Sequence, residues 1–152
     1  MNAKLYALAK RTQKIVLGRL KAMGAFNFIA NSEWRRHRLT ILCYHGVSLE
    51  DEHLWDPELF VSPAFLRRRF EILRDGGYTV LTLGNAACHL RSETLPKRSV
   101  VITFDDGFHN FFAAAVPLLQ EFGYPATNYV STYFCVNQFP LAHLAVRYLL
   151  WR

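Results

Sequence analysis

An uninterrupted apolar and β-branched run, Ser99-Val-Val-Ile-Thr-Phe104, leads directly into Asp105-Asp106-Gly107. A run without alternating polar positions predicts a strand that is buried on both faces, as in parallel sheets covered by helices. In parallel α/β folds the C-terminal ends of the strands carry the functional site. The pattern therefore predicts two neighbouring carboxylates at the site-bearing end of a central strand.

Further strands and helices are predicted to alternate on either side of this run. Strands are indicated at 39–44, 78–82 and 126–132, and the first of them ends at His45. Ser62-Pro63 is typical of a helix start, because serine caps a helix and proline suits its first position. The other helices are predicted at 85–90, 111–122 with an interruption at Pro117, and 140–151. This alternation favours a parallel sheet covered on its faces.

The charge distribution divides the chain near residue 38. Residues 1–38 contain nine basic residues and one acid, a net charge of +8, whereas residues 39–152 have a net charge of −2. Apolar residues recur at helical spacing in the first part, which predicts a basic amphipathic helical arm (1–38) ahead of a globular domain (39–152). Such an arm can bind an anionic membrane surface or a polyanion, or it can pack on the domain through its apolar side.

Composition excludes several classes of protein. Hydrophobic residues make up 51% of the chain and charged residues 20%, which excludes a disordered chain. The sequence contains no apolar run of 18 residues, so no transmembrane helix is predicted. Lysines and arginines interrupt the N-terminal apolar residues, so no signal peptide is predicted either. We therefore expect a cytoplasmic or membrane-peripheral location, and no nucleic acid partner. Three widely spaced cysteines predict neither a disulfide framework nor a zinc motif.

The adjacent carboxylates of Asp105 and Asp106 repel each other and need a cation, a proton or hydrogen-bond donors nearby. One arrangement places a metal ion on one carboxylate and leaves the other as a general base for metal-bound water. The alternative is an Asp-Asp-Gly turn that caps the following helix, since Asp-Gly is a common turn dipeptide. Gly107 allows the tight turn in either case.

Three segments in the right order resemble the polysaccharide deacetylase (NodB-homology) family. They are Ile41-Leu-Cys-Tyr-His-Gly-Val47, Val101-Ile-Thr-Phe-Asp-Asp-Gly107 and Gly123-Tyr-Pro-Ala-Thr-Asn-Tyr-Val130. The resemblance implies an α/β fold, a partial distorted (β/α) barrel with about four parallel strands in this chain. It also implies a hydrolase acting on carbon–nitrogen amide bonds, which removes the acetyl group from an N-acetylated amino sugar in an oligomer or polymer.

The resemblance also assigns roles to individual residues. Asp105 corresponds to the family's general base, and Asp106 corresponds to a ligand of a divalent metal ion of the zinc, cobalt or nickel type. His45, Tyr44 and His109 are candidate residues for lining the same cleft, with ordinary packed or surface positions as the alternative.

The chain departs from the family pattern after the third segment. The family's second motif, His-Ser/Thr-x-x-His, supplies two more metal ligands, but the nearest match here is His143-Leu-Ala-Val-Arg147. Arginine cannot bind a metal, because it has no free lone pair. A (β/α) barrel needs about 200 residues or more, so we expect the N-terminal part of a longer deacetylase or the product of a truncated reading frame, with little or no activity alone.

Two other functions compete with this expectation. One is a non-catalytic fragment whose basic arm binds a membrane surface or polyanion. The other is a phosphotransfer or phosphatase domain, which is disfavoured because Asp105 and Asp106 are adjacent and the Asp-x-Asp spacing of many such enzymes is missing.

Overall fold

The computed structural model describes residues 3–25, 28–29, 32, 38–139 and 141–152. It divides into two compact units, Met1–Arg38 and Leu39–Arg152. In the first unit, helix α1 spans Ala3–Ala22 and carries Arg19 and Lys21 in its last turn. Parts of the predicted arm (1–2, 26–27, 30–31 and 33–37) lie outside the described residues. None of the helices in the described part of the chain has the length and apolar character of a membrane span.

The main sheet of the second unit is built around β5 (Ser99–Phe104). On one side β1 (Thr40–Tyr44) pairs with it from Thr40↔Val100 to Tyr44↔Phe104. On the other side β4 (Thr79–Leu81) pairs with its beginning and β6 (Thr127–Asn128) with its end. All these pairings are parallel, which confirms the predicted α/β fold with about four parallel strands.

A second, two-stranded sheet was not predicted from the sequence. It pairs β2 (Gly46–Val47) with β3 (Phe60–Val61) in parallel, and helix α2 (Glu52–Trp55) lies between them in the chain. A Cβ atom at Gly46 would lie 2.3 Å from a ring carbon of Phe60. Glycine therefore allows the two strands to approach each other.

The predicted helices between β3 and β5 are present. Helix α3 (Pro63–Asp75) begins at Ser62, whose hydroxyl accepts a hydrogen bond of 3.2 Å from the Phe65 N–H. Helix α4 (Leu83–Arg91) begins in the same way at Thr82. Both starts satisfy one of the N–H groups that a helix leaves unpaired at its first turn.

The helix predicted at 111–122 is irregular near its proline, as expected. Phe111–Ala115 forms a π-helical turn, and α5 (Val116–Phe122) continues from it with Pro117 in its first turn. Proline lacks the N–H that would bond to a carbonyl one turn earlier, so the hydrogen-bond pattern changes just before it. Gly123 then ends the helix with a left-handed φ of 64°.

The fourth strand is shorter than predicted. Pairing along β6 stops at Asn128 because β5 stops at Phe104, and helix α6 (Thr132–Asn137) occupies the region where the strand was expected to end. The prediction of a strand through residue 132 was therefore wrong. The last helix, α7, spans Ala142–Trp151; its predicted first residue, Pro140, lies outside the described residues.

The core lies between β5 and the helices beside it. All six residues of β5 are buried, in agreement with the continuous apolar pattern. They are joined by apolar side chains from α3 and α5: Leu66, Phe70, Leu73, Leu118 and Leu119. Burial of a large apolar side chain contributes about 1.5–3 kcal/mol, so this cluster holds the C-terminal end of β5 in a fixed position.

Candidate active site

Asp105 is the first residue after β5, and its backbone N–H donates a 2.8 Å hydrogen bond to the Tyr44 carbonyl at the end of β1. Asp106 and Gly107 follow with φ angles of 70° and 69°. This left-handed backbone costs little for glycine but is uncommon for other residues, although aspartate tolerates it better than most. The chain therefore turns sharply at the strand end and presents two adjacent carboxyl groups there.

The end of β6 closes the other side of this turn. The Tyr129 N–H donates to the Phe104 carbonyl at 2.8 Å, and the Ser131 N–H donates to the Asp106 carbonyl at 3.4 Å. An open recess of about 430 Å³ lies here, lined by Asp105, Asp106, Tyr129, Val130 and Ser131. The carboxyl pair is therefore next to a space that a ligand from solvent can enter.

Asp106 also lines a second, more enclosed cavity of about 460 Å³, which we call the Asp106 cavity. Its other polar members include His109 and His143. The rest of its wall is mainly apolar and comes largely from the segment around α6: Phe108, Phe134, Cys135, Phe139 and Leu141. The two imidazoles thus share a cavity with a carboxylate, although they lie 34 residues apart in the sequence.

Cys43 is a site residue that the sequence analysis missed. It lies on β1, and its thiol donates to Oδ2 of Asp105 with an S···O distance of 3.2 Å. Partial burial raises the pKa of the Cys43 thiol, and the hydrogen bond to Asp105 raises it further. The thiol therefore remains protonated at neutral pH and acts as a donor to the carboxylate. Only the pairing of β1 with β5 could have indicated this contact.

The other predicted cleft residues occupy different positions. His45 directly follows β1, the strand next to β5, as its sequence position suggested. Tyr44 stacks on Phe104 with ring centroids 5.4 Å apart, and burial raises the pKa of its hydroxyl. Of the described residues, those lining the recess and the Asp106 cavity include His109 but neither His45 nor Tyr44.

A divalent metal ion needs several converging ligands. Within the described part of the chain, no three His, Cys, Asp or Glu side chains are grouped so that they could hold one. His109 and His143 line the Asp106 cavity without forming such a group, and Arg147 binds Asp56 instead. The residues present therefore do not fit a complete metal site, although the chemistry of Asp106 suits one ligand position.

The fold and the site together define a class of protein. It is a parallel α/β protein with a carboxylate pair at the carboxyl end of its central strand, beside an open recess. Sites of this kind are located where α/β enzymes bind their substrates.

Comparisons with known proteins point to one family. A family model described as polysaccharide deacetylase matches residues 92–144. The poly-β-1,6-N-acetyl-D-glucosamine N-deacetylase of Escherichia coli K12 is 32% identical over 101 residues, covering 66% of this chain and 15% of that protein. The putative polysaccharide deacetylase YxkH of Bacillus subtilis is 33% identical over 91 residues, covering 59% of this chain and 30% of that protein.

Solved structures agree with these matches. Deacetylase PplD of Streptococcus pyogenes, in complex with acetate, has a TM-score of 0.57 and 31% identity, covering 63% of this chain and 43% of that chain. A de-N-acetylase from Aggregatibacter actinomycetemcomitans has a TM-score of 0.52 and 29% identity, covering 59% of this chain and 36% of that chain. All these matches point to the NodB-type polysaccharide deacetylase family, over part of the domain.

Proposed function

We propose that this chain carries the base-bearing strand of a metal-dependent carbohydrate N-deacetylase. The reaction is hydrolysis of the acetamide on an N-acetylated amino sugar within an oligomer or polymer. The observation that carries the proposal is the Asp105–Asp106 pair at the open end of β5, inside the segment that matches the family model. The substrate class is supported by the E. coli relative, which is a deacetylase of a poly-β-1,6-N-acetyl-D-glucosamine polymer.

Asp105 is the residue we assign as general base. Oδ2 of its carboxylate accepts a hydrogen bond from the Cys43 thiol. The other carboxylate oxygen, Oδ1, is then the one that can take a proton. The base would remove a proton from the water that attacks the acetamide carbonyl. The open recess between Asp105 and Tyr129 provides space for the acetamide group.

Asp106 is the residue we assign as a metal ligand. The family resemblance implies a divalent ion of the zinc, cobalt or nickel type, and catalytic zinc sites use three protein ligands. The described residues provide no group of three such ligands. We therefore infer that the chain by itself binds such an ion weakly and has little or no deacetylase activity.

The experiment uses the purified 152-residue chain. Zinc, cobalt and nickel are added in turn, metal binding is measured by calorimetry, and acetate release is measured with N-acetylglucosamine oligomers. We expect weak metal binding that Asp106→Ala abolishes, little acetate release, and no change in the control Asp75→Asn, an exposed carboxylate at the end of α3. Metal binding that is indifferent to Asp106→Ala would remove the ligand assignment. Robust turnover that Asp106→Ala abolishes would show that the site is complete.

We propose a second, non-catalytic role for the basic arm. Helix α1 has no acid in its first turn and two cations in its last, and its Ile15 and Leu20 side chains are exposed. A helix that combines exposed apolar residues with excess positive charge is suited to an anionic membrane surface or another polyanion. This role does not depend on the chemistry at Asp105.

A further inference from the structure

Arg147 stands where the family pattern would have a second histidine, and the structure gives it a different partner. Its guanidinium donates to Oδ2 of Asp56, whose side chain is 3% exposed. Asp56 lies in the turn between α2 and β3, where its carbonyl accepts the N–H groups of Leu59 and Phe60 at 3.2 and 2.9 Å. A buried carboxylate in such a fixed turn is unfavourable without a cation, and Arg147 supplies it.

This ion pair joins segments that are 91 residues apart in the chain. Next to it, the rings of Trp55 and Tyr148 meet with centroids 5.8 Å apart. A more exposed pair, Arg152 with Asp51 at 3.3 Å, follows at the end of α7. Three successive contacts therefore attach the last helix to α2 and to the residues on either side of it, Asp51 and Asp56.

Apolar contacts in this attachment are limited to partly buried side chains, chiefly Leu144 and Tyr148, which line one recess with Trp55 and Phe60. No described residue of α7 is fully buried, and Leu149 and Leu150 are 72% and 83% exposed. Since apolar burial is the usual force that holds an amphipathic helix in place, the pair with a buried carboxylate carries a large share of the docking of α7.

The beginning of the same helix forms one wall of the Asp106 cavity. His143 lies in its first turn and Leu141 directly precedes it, and both line that cavity. Residues four apart in a helix lie on the same face, one turn from each other. The position of Arg147 therefore determines the position of His143.

We propose that Asp56 and Arg147 are positioning residues that hold His143 and Leu141 against the Asp106 cavity and so set its shape. The importance of this cavity to catalysis rests on the proposed function. The attachment itself does not, because it can be measured without turnover or metal.

The test is a mutant cycle followed by NMR of the histidine imidazoles in the full chain. In the wild-type background, Asp106→Asn should shift the ring resonances of both His109 and His143. In an Arg147→Ala background, Asp106→Asn should still shift His109 but should leave His143 unchanged. This loss of coupling distinguishes positioning of His143 from a merely stabilising role.

Hydrogen exchange provides the second measurement. Arg147→Ala should speed exchange of the α7 amides at least tenfold while the amides of α3 keep their rates, and Arg147→Lys should restore part of the protection. Asp56→Asn removes the buried charge without a large change in shape, and it should give the same result if Arg147→Ala fails to fold. The control is Arg152→Ala, which breaks the exposed pair with Asp51 and the hydrogen bond to the Tyr148 hydroxyl but leaves the buried Asp56 pair intact, so α7 exchange should change less than in Arg147→Ala. Unchanged α7 exchange and unchanged His143 coupling in both Arg147→Ala and Asp56→Asn would overturn the proposal.

Discussion

The thiol of Cys43 and the carboxylate of Asp105 are joined by a hydrogen bond of 3.2 Å across neighbouring parallel strands. The thiol is the donor, so this contact depends on a protonated cysteine. It connects the candidate base to β1, a strand whose five residues include no acidic or basic side chain.

Replacement of Asp105 should change the titration of Cys43. Asp105→Asn removes a negative charge and a carboxylate acceptor, both of which raise the pKa of the thiol, so that pKa should fall. It should not return fully to the ordinary value, because burial is the largest cause of the shift and remains. Since the thiolate is the reactive form, alkylation of Cys43 should begin at lower pH.

The measurement is the pH dependence of the alkylation rate in a chain whose Cys88 and Cys135 are replaced by serine. Asp75→Asn serves as the matched control, because it removes a carboxylate at the end of α3 that does not contribute to the raised pKa of Cys43. An alkylation midpoint that Asp105→Asn leaves unchanged would contradict the contact.

Gly107→Ala should destabilise the turn after β5. The residue has a φ of 69°, and an added Cβ would lie 3.0 Å from the Val130 Cα. We expect a loss of about 1–3 kcal/mol in the free energy of unfolding, measured in urea. Gly84→Ala is the control, since it lies in α4 with open space around it; it should stabilise the chain by about 0.5–1 kcal/mol. Equal effects at the two positions would argue against a strained turn.

Phe104→Ala should be among the most damaging single substitutions. Phe104 is fully buried, and its ring centroid lies 5.4 Å from that of Tyr44 and 4.9 Å from that of Phe111. Loss of this side chain should lower the free energy of unfolding by about 3–5 kcal/mol. Phe112→Ala, at a position that is 71% exposed, should change it by no more than about 0.5 kcal/mol. The free energy of unfolding of both variants is measured by thermal or urea unfolding. Similar decreases in the two variants would disprove the assignment of Phe104 to the core.

Deletion of residues 1–34 should leave the fold of 39–152 unchanged and should reduce binding to vesicles that contain anionic lipid. The loss should be greatest at low salt, because the screening length is about 10 Å at 0.1 M. Neutral vesicles and a full-length Arg19→Gln/Lys21→Gln variant are the controls for charge. Equal vesicle binding by the full and shortened chains would leave the arm with no membrane role.

Much of the fold could be predicted from short stretches of sequence. The buried strand at 99–104 follows from its unbroken apolar pattern, and the start of α3 follows from Ser62-Pro63. The irregular turn before Pro117 follows from the missing N–H of proline. Each of these features is signalled by residues that are close together in the sequence, so a local pattern is enough to predict it.

The position of the acid pair was determined in the same local way, because Asp105 and Asp106 directly follow a strand whose direction the pattern indicates. The surroundings of the acid pair could not be predicted in this way. The length of β6 depends on where β5 ends, and the small β2–β3 sheet consists of two residues in each strand, too few for a periodic signal.

The tertiary structure alone decided which side chains contact the acid pair and which contact helix α7. Cys43 reaches Asp105 across 62 positions of sequence, and Arg147 reaches Asp56 across 91. No residue pattern specifies such contacts, because they depend on strand order and helix docking. The sequence by itself determined the strand and the turn and indicated the family; packing between distant segments determined the partners of Asp105 and of Arg147.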